Sequence, residues 1–369
     1  MMRPKFAKLP KSVAEAAEWY MRYISPLSLV AALIIDTFFL LRRVDTLLTT
    51  IVLFFYLAVS ALVTILINLI SSGRLRQPWL ITITPFLPVV SQFAFGGLFI
   101  AFLSLYSRSA AFSLTWVFVA AIAILLIANE RFVRFYMQFT FQMSIFFTVL
   151  FSFLIFYLPL IFRTIGPWMF VASGVVSLLG IAAFLRLQYY FTPQLVRDNL
   201  TQIARSIAVI FITFNVLYFT NAIPPLPLAL KDAGVYHGIS KVGNEYRLLA
   251  ETRPWFEQYL PHTTVFRKSP GEPVYLYSAI FAPSGLSATI LHEWQRYDPE
   301  TKSWVTEDTI SFPILGGREG GYRGYSIKND PSPGKWRVNV AMDFGQIIGR
   351  VSFEVQSTQG QVALEEVVR

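Results

Sequence analysis

The chain contains no cysteine. Disulfides, thiolate nucleophiles and cysteine-ligated zinc are therefore excluded. Histidine is also scarce, with three residues at 237, 262 and 292. A three-histidine metal site would have to use all of them, and nothing in their spacing predicts that they converge. Charge is sparse too: 14% of residues are charged against 54% apolar, with mean hydropathy +0.52. Ordinary soluble domains carry about 25% charged residues. What fills the gap is long apolar runs and aromatic residues, 34 of them Phe, a mix suited to contact with lipid.

The net charge of +9 does not indicate nucleic-acid binding. Residues 1–229 hold 16 Lys/Arg and 6 Asp/Glu, and residues 230–369 hold 15 and 16. The excess thus lies before and between apolar runs, where it sets topology, and not on a folded basic surface of the kind a phosphate backbone requires.

A bilayer core about 30 Å thick needs about 20 apolar residues as helix. Charge-free windows satisfying this are Thr46–Gly73, Gln77–Ser107, Ser109–Asn129, Phe135–Phe162, Thr164–Leu185 and Ser206–Leu230. A shorter window, Ile24–Leu41, carries one acid, Asp36. The pattern predicts a polytopic α-helical bundle of about seven transmembrane helices over residues 24–229, preceded by a basic, amphipathic cytoplasmic segment at 1–23. With the N-terminus inside, twelve Lys/Arg fall in cytoplasmic segments and four (Arg42, Arg43, Arg108, Arg163) outside. Positive residues concentrate in short cytoplasmic loops, so seven spans would place the C-terminal domain outside the cytoplasm, with the protein in the inner (plasma) membrane.

Inside the spans, Asp36 is the intramembrane polar candidate. Such acids often mark ion or proton paths, but Asp36 lies six residues before Arg42 and also fits a structural pairing. Asn68, Gln92, Gln142 and Asn215 are expected to hydrogen-bond between helices. Pro85, Pro88, Gly96 and Gly97 are expected to make one helix irregular. Ser173 and Ser177 give another a small-residue packing face.

After Asn221 a proline-rich exit (Pro224, Pro225, Pro227) cannot continue a helix. From about Ala233 the apolar period changes to two. Trp336, Val338, Val340 and Met342 alternate, as do Val351, Phe353 and Val355. Alternation marks half-buried strands. With strands also at Val274–Phe281 and Ser287–Arg296, and turns at regular intervals, residues 230–369 are predicted to form an all-β, antiparallel sandwich-like domain, with one short helix at Glu251–Leu260.

Three short motifs follow in order: His292-Glu-Trp294, Gly321-Tyr-Arg-Gly-Tyr-Ser-Ile-Lys328 and Pro333-Gly-Lys-Trp-Arg-Val338. Gly345-Gln-Ile-Ile-Gly-Arg350 and a final strand come after them. This run resembles the C-terminal domain of bacterial domain-of-unknown-function family 2914, from His292 to the C-terminus. The resemblance implies an envelope-associated domain, often appended to membrane helices, and supplies no activity. Tyr322 before Arg323 keeps the aromatic residue expected there.

No catalytic motif emerges. His292-Glu293 lacks the second histidine of a zincin, and adjacent strand residues point to opposite faces. The glycine-rich Gly316–Gly324 run lacks the Lys-Ser/Thr and following helix of a phosphate loop and reads as a flexible hairpin. No Gly-x-Ser-x-Gly elbow is present. Trp294, Tyr322, Arg323, Tyr325 and Trp336 are candidates for an aromatic–basic binding face, since rings stack on sugars and Arg pairs with acidic groups; the alternative is that both tryptophans are core. The expected function is a non-catalytic integral membrane protein presenting an extracytoplasmic β domain to a glycan or protein partner in the cell envelope. It would use no cofactor and no metal, with the lipid bilayer as its constant partner and no nucleic acid. The alternatives are an integral-membrane enzyme acting on a lipid or lipid-linked substrate at the outer leaflet, for which Asp36, Asp45, Arg42, Arg43 and Arg163 are the available residues, and a transporter.

Overall fold

The computed structural model describes residues 46–109, 112–129, 133–223, 227–243, 245–252, 264–318 and 320–369, with Glu15 and Trp19. The chain divides into two compact units, one helical and one built mainly from residues 223–369. The window around Asp36, its neighbours Arg42, Arg43 and Asp45, and His262 lie outside the described residues.

The helical elements are α1 (Leu47–Ser71), α2 (Pro78–Ile83), α3 (Leu87–Ser109), α4 (Phe112–Asn129), α5 (Phe139–Phe162), α6 (Pro167–Phe191) and α7 (Pro193–Phe219). A 3-10 turn at Thr84–Phe86 joins α2 to α3, so these read as one broken helix and the described residues hold six. The break falls at Pro85 and Pro88, as expected, because proline removes a backbone donor and crowds the preceding turn. Five of the six are long and apolar enough to cross a membrane; the apolar part of α4, Val119–Ala128, is shorter.

Two expectations about the helices need correction. The last helix does not occupy Ser206–Leu230: it starts at Pro193 and ends at Phe219. A charge-free window discards Arg197, Asp198 and Arg205, yet a helix with one polar end needs no such restriction. Its C-terminus is fixed by Asn221 at φ 59°, with Ala222 N–H bonded to Leu217 O and Asn221 N–H to Tyr218 O. This is a Schellman closure. Nor do Asn215 and Gln142 bond across helices. The Asn215 amide donates to Phe211 O in its own helix, and Gln142 donates to Tyr136 O in the turn preceding α5. Ser173 does bridge helices, donating to Leu154 O at 3.1 Å.

Close packing is concentrated where side chains are small. Gly97 on α3 lies against the Tyr56 ring of α1, where an added Cβ would come within 2.6 Å of the ring.

The described residues of the β unit form eleven strands: β1 (Ala229–Tyr236), β2 (Gly238–Val242), β3 (Glu245–Glu251), β4 (Thr264–Lys268), β5 (Val274–Phe281), β6 (Ser287–Asp298), β7 (Ser303–Leu315), β8 (Tyr322–Lys328), β9 (Gly334–Met342), β10 (Ile347–Ser357) and β11 (Leu364–Val368). They form sheets ordered β1-β5-β8, β4-β10-β9-β6-β7 and β11-β3-β2. Pairing is antiparallel except for β4 with β10, which run parallel. Glu251 ends β3 and does not begin a helix; the remainder of the expected helix lies outside the described residues.

Two apolar clusters order the layers. Leu276 and Ile280 of β5 join Ile290, Trp294, Trp336, Val338 and Phe353 of the five-stranded sheet. On the opposite face of β5, Tyr277 and Ala279 join Tyr236, Tyr246 and Leu248. The β1-β5-β8 sheet is thus the middle layer, and β5 is buried on both faces.

A Gly97→Leu variant is expected to lose thermal stability through overpacking, by about 1–3 kcal/mol; detergent-phase melting of wild type and variant checks this. Phe353→Ala, in the larger β cluster, is expected to cost about 3–5 kcal/mol, read from the denaturation midpoint of the β-sheet signal.

Candidate functional site: a cationic cavity on the β unit

Strand alternation separates the five residues proposed as a binding face. Trp294 and Trp336 are 0% and 1% exposed and belong to the large core, so no surface ligand reaches them. Tyr322 packs at the edge of that core. Arg323 and Tyr325 are paired in register with Ala279 and Tyr277 and therefore look toward the other apolar cluster. Tyr325 stands edge-on to Tyr246 with centroids 6.5 Å apart.

Arg323 lines a cavity of about 410 Å³ with Lys241, Tyr246, Arg318, Gly320 and Gly321. Lys241 comes from β2 and Tyr246 from β3, while Arg318 and the glycines lie between β7 and β8. That segment is not a hairpin. β7 pairs with β6, whereas β8 pairs with β5, so residues 316–321 carry the chain from one sheet to another. Gly321 sits at φ 83°, where an added Cβ would fall 2.9 Å from the Ile280 carbonyl carbon. A glycine is needed to make this turn.

The cations are held by rings and backbone. Lys241 Nζ lies 5.7 Å from the Tyr246 ring centroid and Arg318 Cζ 5.3 Å from that of Tyr322. Arg323 Nη1 donates to Arg369 O at 3.2 Å. Asp232 is taken by Arg369 Nε at 2.6 Å. No acidic side chain is among the described lining residues; Glu319, in the same loop, lies outside them. Burial raises the Tyr246 pKa, and the Tyr322 and Tyr325 phenols add to this against the opposing pull of Arg323 and Arg318. The phenol stays neutral and donates its O–H to Arg323 O at 3.4 Å. The described lining thus gathers three cationic side chains and one phenol; ammonium and guanidinium groups can pair with oxyanions.

Of the lining residues, Arg323 alone was identified from sequence. The signal for Arg318 was present in its glycine-rich setting. Lys241 and Tyr246 carried none, because sheet stacking brings them there from about 80 residues earlier in the chain.

Two other polar clusters lie in the β unit. His292 is fully buried, with Nε2 2.9 Å from Ser278 Oγ and Nδ1 2.9 Å from Ser326 Oγ, which also accepts from Trp294 Nε1 at 3.0 Å. Burial holds its pKa down at about 4. Every polar group here is satisfied internally and no substrate has access, so the cluster is a core polar brace. His237 stacks on Phe266 and bonds Glu272 at 2.6 Å and Glu251 at 3.3 Å. Burial opposes its charge, but the bonds and charges of Glu251 and Glu272 outweigh this and raise its pKa. Arg267 neutralises Glu251 in turn. No group of three or more metal-binding side chains occurs among the described residues.

Residues 287–355 match the family described as "Protein of unknown function (DUF2914)". The DUF2914 segment runs from the start of β6 into β10 and includes no helix. It supplies Arg318, Gly320, Gly321 and Arg323 of the cavity but not Lys241 or Tyr246. The family resemblance drawn from the sequence motifs holds over this segment. No curated protein matches the chain. Among solved structures, an immunoglobulin-like protein from Pseudomonas aeruginosa is 12% identical over 35% of this chain and 96% of its own, with a TM-score of 0.20. The alkylpurine DNA glycosylase AlkC of Pseudomonas fluorescens, bound to DNA containing an abasic site analog, is 12% identical over 76% and 83%, with a TM-score of 0.23. Neither likeness carries an argument about this chain.

The sign of the His292 effect is fixed by its lowered pKa. The unfolded ring titrates near 6.5 and the folded ring near 4, so the unfolded state takes up the proton first. His292 therefore favours the folded state fully above pH 6.5. That contribution is lost as pH falls through the window to 4, by about 3 kcal/mol. Imidazole NMR of the folded protein is expected to show His292 neutral until near pH 4; a midpoint near 6.5 would contradict the burial.

Proposed function

We propose that this is a multi-pass protein of the bacterial inner membrane that presents residues 230–369, as a sandwich-like domain, outside the cytoplasm, where the domain binds acidic groups of a cell-envelope glycan. The cavity of Lys241, Arg318, Arg323 and Tyr246 carries this reading, since it combines clustered cations with a phenol and flanking rings. Rings suit sugar faces and guanidinium groups suit carboxylates. A cavity of this size suits one residue of a polymer better than a broad protein surface.

The orientation rests on the Lys/Arg bias and on seven spans. Five of these correspond to the long apolar helices, one to the shorter helix around Val119–Ala128, and one to the segment at 24–41. An even number of spans would return the β domain to the side of the N-terminus.

The cysteine-free chain allows a direct topology test. Ser303→Cys, at the exposed start of β7, is expected to react with an impermeant maleimide in intact cells, and Ser72→Cys, at the exposed end of α1, is not. The reverse pattern would overturn the orientation. For the ligand, the full-length protein in detergent is expected to bind a uronic-acid oligosaccharide but not its carboxyl-reduced counterpart. Lys241→Gln combined with Arg318→Gln is expected to weaken binding at least tenfold, since each charged hydrogen bond contributes about 1.5–3 kcal/mol. Equal binding of both sugars would refute the acidic-glycan reading, and binding of an acidic peptide in preference to either would redirect it to a protein partner.

A further inference from the structure

Helices α6 and α7 are joined through Thr192 alone and run back along one another. Between them lies an apolar groove of about 400 Å³, lined by Leu178, Ile181 and Leu185 of α6 and by Leu200, Ile203 and Phe211 of α7. The α7 lining from Leu200 to Phe211 extends about 16 Å along the axis, room for a hydrocarbon chain lying lengthwise.

One end of this groove is polar in a specific way. Tyr189 stands one turn beyond Leu185 on the same face of α6, and Arg197 one turn before Leu200 on α7. Arg197 Nη2 donates to Tyr189 Oη at 2.5 Å, tying the two helices together there. Its Cζ is 5.4 Å from the Tyr189 ring centroid, and that of Arg186 is 6.0 Å from the same ring. Neither arginine has a carboxylate partner among the described residues. The nearby Asp198 instead accepts from Gln194 at 3.0 Å. A third polar group, Gln188, follows Ile181 and Leu185 at helical spacing. It is fully buried, and neither its amide nitrogen nor its oxygen has a partner among the described residues.

We propose that the α6–α7 pair binds one anionic phospholipid, with an acyl chain in the groove and the phosphate between Arg186 and Arg197. Charge complementarity selects this occupant: an apolar slot ends at two guanidinium groups that lack a counter-charge, and at an amide that lacks a partner, among the described residues. A merely topological role for the arginines would need them at the interface, but not gathered round one ring at the end of a groove. A peptide would leave its backbone donors and acceptors unsatisfied against this lining. The inference rests on reading these helices as membrane spans.

The full-length protein in a neutral detergent, titrated with dioleoyl phosphatidylglycerol or dioleoyl phosphatidylcholine, tests it. Phosphatidylglycerol is expected to raise the melting midpoint and to persist as one retained lipid in native mass spectrometry, with at least tenfold preference over phosphatidylcholine. Arg186→Gln with Arg197→Gln is expected to abolish that preference. Ala204→Trp, which fills the groove without changing charge, is expected to reduce retention of both lipids. Equal retention of the two lipids by the wild type would overturn the proposal without reference to any variant, and so would an undiminished preference in the double-arginine variant. Alkaline carbonate extraction separates the underlying reading from the lipid site. Release of the protein from membranes would defeat the assignment of spans, whereas retention with no lipid preference would defeat the lipid site alone.

Discussion

Burial of β5 on both faces is the constraint on which the β unit depends. A strand with two apolar faces must have a layer on each side. Leu276 and Ile280 engage the tryptophan-rich five-stranded sheet, while Tyr277 and Ala279 engage the β2–β3 side. The neighbours of β5 inherit this division. On β8, Ser326 is drawn inward to His292 and Trp294, which leaves Arg323, on the alternate face, at the cavity. The polar brace inside the core and the cationic cavity outside it are consequences of the same pleat.

The β7–β8 segment converts that layering into a site. Because β7 ends in one sheet and β8 begins in another, the chain must cross between layers at Gly316–Gly321. The crossing places Arg318 and two glycines over β2 and β3. A hairpin with the same sequence would have left those residues at a loop tip. Lys241 then meets the Tyr246 ring and Arg318 the Tyr322 ring. Rings hold cations in place without neutralising them. The α6–α7 pair repeats the principle, with Tyr189 between Arg186 and Arg197.

The sequence by itself determined the division into helical and strand regions, the proline break before α3 and the strands containing Trp336 and Phe353; of the about seven spans it predicted, five are long apolar helices in the structure. Each is recorded locally, in apolar run length or in a period of two. It also determined the DUF2914 resemblance, carried by short motifs in order. The start of α7 escaped because its polar first turns break an apolar window without breaking a helix.

Only the tertiary structure decided which neighbours meet. Trp294 and Arg323 share the chemistry of an aromatic–basic face, yet they come from different sheets and end on opposite sides of the middle one. Lys241 and Tyr246 are unremarkable in sequence and become site residues through sheet stacking, which no local pattern encodes. The buried state of His292 is likewise settled by Ser278 and Ser326, two hydroxyls supplied by separate strands. Side-chain periodicity specifies which face of a strand is apolar; the identity of the layer against that face depends on contacts distant in the chain.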